Sequence, residues 1–317
     1  MALTLAQSAS WSENDLQRGI VETFALESSV LDRLPLLTIN GNAYAYNEEA
    51  SLPGVEFRAV NSGYAESTGT INQRTETLVI LGGDADVDRF LVQTRGNLND
   101  LRAEQTQMKV KSAAFKFQDT FINGDVAVDA NSFDGLKKRL TGAQVIAAGA
   151  NGAPVIGTDD DARHAFLDQL DALIAAVPGF GERNGALYMN SSILARIKSS
   201  ARRLTMFDQT TDTFGRTIAT YNGIPLIDIG NKADGTPIIP QTETQGTATD
   251  ASSIYAVKFG ANEADRGITG LTNGGVQVRD IGELETKPVY RTRIEFYCGL
   301  AAFGGRGAAR LTGVLNA

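Results

Sequence analysis

Apolar and polar positions change rhythm repeatedly along the chain. Up to residue 41, apolar side chains such as Trp11, Ile20, Phe24 and Val30 are scattered through polar stretches. So dilute a segment forms no core of its own and is expected to lie as an arm on its own body or on a neighbour. From residue 42 the period becomes two. Asn42-Ala-Tyr-Ala-Tyr46 alternates small and aromatic residues, Val55-Glu-Phe-Arg-Ala-Val60 alternates apolar and polar, and Glu76-Thr-Leu-Val-Ile-Leu81 is a third run. Segments rich in Asn, Pro, Gly and Ser separate them, which predicts an extended β-hairpin over 42–81 with a polar tip. Its apolar positions are too few for a self-sufficient sheet, so it needs a partner surface.

The rhythm then turns helical. Gly82-Gly83 is a break, Asp84 and Asp86 are N-cap candidates, and Val87, Phe90, Leu91, Leu98, Leu101, Met108 and Phe115 follow at helical spacing until Asn123-Gly124 supplies a stop. The spacing predicts one helix of about 35 residues, about 50 Å long. Thr94, Gln105 and Ser112 dilute a coiled-coil seam, so the expected role is a spine laid across a sheet. Beyond a Gly- and Ala-rich stretch, Asp159-Asp-Asp161 opens a second helix with Phe166, Leu167, Leu170, Ile174 and Val177 on one stripe, and Asn190 caps a third with Ile193, Leu194 and Ile197. Ala186-Leu-Tyr-Met189, Ile224-Pro-Leu-Ile-Asp228, Ile254-Tyr-Ala-Val-Lys-Phe259, Val276-Gln-Val-Arg279, Arg293-Ile-Glu-Phe-Tyr297 and Arg310-Leu-Thr-Gly-Val314 read as strands, Asn222-Gly223 as a tight turn, and 230–252 as a long surface loop. The fold class is α+β. An arm (1–41) and a hairpin loop (42–81) precede a peripheral unit formed by 82–140 and the closing strands 273–317. An α/β unit, 141–272, is inserted between those two parts.

Composition removes several functions. With 317 residues, 42% hydrophobic and 21% charged, the chain is globular. A net charge of -8 opposes phosphate-neutralising nucleic-acid binding, which needs a basic face. The single cysteine, Cys298, allows no intrachain disulfide, and neither a signal peptide nor a membrane span is visible. His164 is the only histidine, and it is expected to pair with Asp160 on a helix surface. One His and one Cys do not make a zinc site. Asp159 to Asp161 read as helix-capping acids, and Gly179-Phe-Gly181 and Gly304-Gly-Arg-Gly307 match no phosphate-loop fingerprint. Lys198, Arg202 and Arg203 read as a solvated helix end, and Asn190-Ser-Ser192 as a cap rather than a glycosylation site. No catalytic, cofactor-binding or metal-binding residue stands out.

Phe121-Ile-Asn-Gly-Asp125 followed by Phe133-Asp-Gly-Leu136 resembles the end of the spine helix in major capsid proteins of tailed bacteriophages. The early hairpin, Tyr188-Met-Asn190, Tyr221-Asn-Gly-Ile-Pro225, Ile254 to Phe259 and Arg293 to Leu300 resemble further landmarks of that family in order, so the likeness spans nearly the whole chain after the arm. The resemblance implies the tailed-phage capsid fold, with its extended loop, peripheral domain and inserted apical domain. It also implies pentamers and hexamers closing an icosahedral shell around double-stranded DNA, assembled in the host cytoplasm, with a portal and decoration proteins as further partners and no cofactor. Trp11, Phe24, Glu56, Arg58, Tyr64, Glu66 and Arg74 are the expected contacts between subunits. Two departures matter. The hairpin begins near Ala43, which leaves no room for a fused scaffolding segment and implies a separate scaffold protein. The first lysine is Lys109, so the loop-lysine cross-link of some members is not expected. The alternatives are an encapsulin-type nanocompartment shell and, more remotely, a soluble hydrolase or transferase.

Overall fold

The computed structural model describes residue 24 and residues 27–95, 101–204, 208–211 and 217–316. Strand β1 (Leu36–Thr38) precedes the hairpin strands β2 (Ala43–Ser51) and β3 (Thr70–Thr77). There follow β4 (Val79–Asp88), α1 (Arg89–Arg95), α2 (Leu101–Asn123) and the single turn α3 (Leu136–Arg139). The central block holds β5 (Val145–Ala147), β6 (Ala153–Pro154), α4 (Asp160–Ala175), β7 (Gly185–Met189), α5 (Ser191–Arg203), β8 (Asp208–Thr211), β9 (Thr217–Tyr221), β10 (Ile224–Asp228) and β11 (Glu243–Gln245). The last strands are β12 (Ala248–Lys258), β13 (Ile268–Glu283), β14 (Val289–Ala302) and β15 (Ala308–Leu315).

Three sheets result. The order β1-β13-β14-β4 forms one, β5-β15-β12-β7-β10-β9-β8 forms a second with β6 and β11 at its margins, and β2-β3 stands alone as the hairpin. The second sheet separates two cores by the two-residue period of its strands. Ala186 and Tyr188 of β7, with Tyr255 and Val257 of β12, join the core under α2. Their neighbours Leu187, Met189, Ile254 and Ala256 join the core under α4 and α5. This accounts for the unbroken apolar run at 185–189: both faces of the strand are covered. Asp159 and Asn190 cap α4 and α5 as expected, accepting from the backbone N–H of Ala162 and Ile193. Asn222 and Gly223 both have positive φ, as the tight turn between β9 and β10 requires.

The spine helix differs from expectation. Asp84 and Asp86 are not caps; they lie in β4, which runs to Asp88 and pairs with β14. Arg291 holds Asp86 through two bonds of 2.7 and 2.6 Å, and Arg293 holds Asp84 at 2.7 and 2.9 Å, fork against fork. The described long helix, α2, has 23 residues rather than about 35. Its buried stripe is Val110, Ala114, Phe117 and Phe121, at i, i+4, i+7 and i+11, whereas Phe90, Leu91 and Met108 are exposed. Phe117 meets Phe296 of β14 at 5.8 Å between ring centroids, and Phe121 meets Tyr188 at 6.4 Å, so α2 lies between the two larger sheets. Burying each such ring contributes about 1.5–3 kcal/mol.

Other segments also depart from the pattern. Residues 55–60 form no strand, because the hairpin ladder stops at Ser51 and Thr70. Within 230–252, Ile238 and Ile239 are buried and β11 forms, so part of that stretch is core rather than surface loop. Asp160 pairs with Arg163, not His164, and His164 is exposed. The strand β13 spans residues expected in two units, and β15, expected in the peripheral unit, pairs with β12 and β5 in the larger sheet.

Candidate assembly interface

The motif around 121–136 is a folded-back loop at the end of α2. Gly124 N–H donates to the Thr120 carbonyl at 2.8 Å, and Gly135 N–H donates to the Gly124 carbonyl at 2.9 Å. The two glycines are required by the close approach. A Cβ on Gly124 would lie 2.3 Å from the Phe133 carbonyl oxygen, and one on Gly135 would lie 2.5 Å from that of Thr120. Asp134 accepts from Val126 N–H and Asp125 from Ala127 N–H, both at 2.9 Å, and Lys138 pairs with Asp125 at 3.2 Å. These bonds hold the Asp125 carboxyl below its usual range, with the Ala127 N–H the main cause. Asn123 donates to Asp119 and to the Ile238 carbonyl, tying the helix end to the central block. Phe121, Phe133 and Leu136 are buried beneath the loop.

This loop delivers Arg139 to the hairpin root. Its guanidinium donates to both carboxylate oxygens of Glu76 on β3, at 2.5 and 2.7 Å, and to the carbonyls of Leu300 and Asp134 at 3.0 and 2.6 Å. Neither Arg139 nor Glu76 was visible as a site in the sequence, because the pair spans 63 residues and nothing local marks it. On the other strand, Tyr46 packs edge-on against Phe303 at 5.0 Å. The Tyr44 hydroxyl donates to Glu263 at 2.6 Å, which pushes its pKa up to about 12. The hairpin is thus fastened to the body at its root by the Arg139–Glu76 ion pair, by Tyr44 and Tyr46 against Phe303, and by the Tyr44 hydroxyl.

Beyond the root it is bare. Leu52, Val55, Phe57, Val60 and Tyr64 of the tip and Ile71 of β3 are all exposed, Val55 at 96% and Val60 at 90%. Of the expected contact residues, Glu56 accepts from Ala65 N–H, Arg58 donates to the Ser62 carbonyl and stacks over Tyr64, and Arg74 pairs with Glu48 at 2.5 Å. The structure brings Glu56, Arg58 and Tyr64 together within the tip itself; Glu66 is exposed there. Phe24 is buried against Phe296 of its own chain at 5.6 Å, and Trp11 lies outside the described residues. The exposed apolar residues Val55, Phe57 and Val60 were not among the expected contacts. Their signal was an alternation with no strand partner to satisfy it.

The fold is shared by other proteins. Residues 12–159 match the family model for major capsid protein GP7. The encapsulin SrpI complex of Synechococcus elongatus PCC 7942 superposes with TM-score 0.63 at 18% identity, covering 89% of this chain and 86% of that one. The capsid of a native GTA particle gives TM-score 0.63 at 16% identity over 91% and 90%. The chain has the capsid fold of tailed phages and encapsulins. Microbacterium phage Oxtober96 shares it as well, with TM-score 0.57 at 11% identity over 90% of each chain. No curated protein matches the sequence. The family model covers 148 of the 317 residues, and the likeness to solved structures shows the fold. Among the described residues no group of three or more His, Cys, Asp or Glu is placed to hold a metal ion, and no helix is long and apolar enough to cross a membrane.

Proposed function

We propose that this chain is a capsid protein forming pentamers and hexamers that close an icosahedral shell around double-stranded DNA in the host cytoplasm, and that it has no catalytic role. The observation that carries this reading is the hairpin tip. Its exposed apolar side chains stabilise nothing within the chain, and a contiguous apolar patch of this kind marks an interface. In a ring each contact is heterologous, so a projecting hairpin on one copy lies on a different surface of the next. The acidic balance of the chain, 37 Asp and Glu against 29 Lys and Arg, suits a container whose wall does not trap DNA. A separate scaffold protein, a portal and decoration proteins are the partners this reading brings. The absence of lysine before Lys109 excludes a lysine cross-link from the hairpin, so shell protein runs as a single band on a denaturing gel.

Negative-stain microscopy of the expressed chain, alone and with its scaffold, tests the proposal: rings or closed shells are expected. Phe57→Ser with Val55→Ser removes the apolar tip and is expected to leave the unfolding midpoint of the unassembled chain unchanged while abolishing shells. A clean monomer with scaffold present refutes the reading. The likeness to an encapsulin favours a second reading, a compartment enclosing protein cargo. Nuclease-protected DNA in purified particles decides for the first, and tightly bound cargo protein for the second.

A further inference from the structure

A pocket of about 530 Å³ opens between the distal half of β2 and the body, lined in part by Asn47 and Ser51 and by Pro178, Lys258, Glu263, Arg266 and Arg306. It holds three cations against one carboxylate, and that carboxylate already accepts the Tyr44 hydroxyl. Lys258 is the informative member. It is only 9% exposed, and the one hydrogen-bond partner of its ammonium among the described residues is the Pro178 carbonyl, at 3.0 Å. An ammonium carries three donors, and a charge on a side chain this little exposed is ordinarily paired with an opposite charge. No carboxylate among the described residues takes that place. Arg306, exposed at the rim, adds positive charge to the lining, and Arg266, which has a partner of its own, stands beside it. Three cationic residues line a space far larger than one water, in a chain whose overall charge is negative.

We propose that this pocket binds an oxyanion of the phosphate or carboxylate class, with Lys258 as its anchor and Arg266 and Arg306 as its rim. The seat is complete within one chain and does not depend on shell formation. Its anion comes either from solution or from a carboxylate side chain of a second copy.

Two measurements on the full chain test this and separate the sources. In the first, inorganic phosphate is titrated into the unassembled protein at constant ionic strength while Tm is followed. A saturable rise is expected in the wild type. Lys258→Met, which keeps the volume and removes the charge, and Arg306→Ala, an exposed position that does not threaten folding, are each expected to weaken the response by about tenfold or more, or about 1.4 kcal/mol. In the second, shell assembly is followed in phosphate-free buffer. If both variants assemble poorly and phosphate inhibits the wild type, a second copy supplies the anion; if assembly is unchanged but the Tm response is lost, the anion is free. A Tm response equal in wild type and both variants overturns the proposal. So does no response in the wild type combined with normal assembly of both variants. Failure of the wild type to assemble at all refutes the shell reading instead, and leaves the titration standing.

Discussion

Replacing Arg139 with methionine removes four hydrogen bonds at once and leaves the Glu76 carboxylate without its partner. Both side chains are largely shielded, at 14% and 18% exposure. Removing one member of a fully buried pair costs about 3–5 kcal/mol. The residual exposure lets water reach the abandoned carboxylate, so about 3 kcal/mol is expected here. Glu76→Gln keeps one acceptor and the two carbonyl bonds, and loses the charge assistance of a bidentate pair, which is worth about 2 kcal/mol. Because both changes break the same contact, the double variant is expected to cost less than the sum of the two by at least about 1 kcal/mol. Urea unfolding of the unassembled chain reads these values as shifts in midpoint at constant slope. The pair also fixes the hairpin root against the loop that ends α2, so Glu76→Gln should yield fewer closed shells under conditions where the chain is still folded. If each single variant costs less than about 0.5 kcal/mol and the two add, the pair is a surface contact and the anchoring argument is wrong.

Gly124→Ala and Gly135→Ala each drive a methyl group into a backbone carbonyl, so each is expected to cost about 1–3 kcal/mol or more, again by urea midpoint. Asp84 and Asp86 are held below the usual carboxylate range, first by their bonds to Arg293 and Arg291. A folded pKa below the unfolded one gives stability that is full above the unfolded value, 3.8, and is lost as pH falls through the folded value. The Asp84→Asn/Asp86→Asn variant should therefore lose stability at pH 6 but show a shallower decline below pH 4, and an acid limb identical to wild type would refute this. Burial pushes the Cys298 thiol up to about 12, so a thiol reagent at pH 8 should leave the native chain unmodified and react once urea unfolds it.

The central block was the most legible part of the sequence because its signals are local. Unbroken apolar runs at 185–189 and 224–227 mean strands covered on both faces, and Asp159 and Asn190 announce helix starts through bonds to residues three positions on. The peripheral part was harder to read because its decisive partners are distant. Asp84 and Asp86 look like caps from sequence alone, yet the residues they hold, Arg293 and Arg291, lie 209 and 205 positions away. The alternation at Val55 to Val60 has strand period but no strand to pair with inside the chain. Of the site, the motif from Phe121 to Leu136 was visible as a motif. Its task, delivering Arg139 to Glu76, was not, because the arginine stands just past the motif and the glutamate sits on another element.

The place of β15 bears on when the chain becomes able to assemble. This strand lies between β12 and β5, and its Leu311 and Val314 complete the core under α4 and α5. It is synthesised after every other member of its sheet, and the partner β5 emerges some 165 positions earlier (Arg310 pairs with Val145). Contacts of such span form slowly and late. On a ribosome the sticky hairpin is exposed long before the sheet can close. Until residues 308–315 arrive, an incomplete body carries the hairpin with its apolar tip already exposed, which is the interval in which nascent copies are most open to misassembly and chaperone capture.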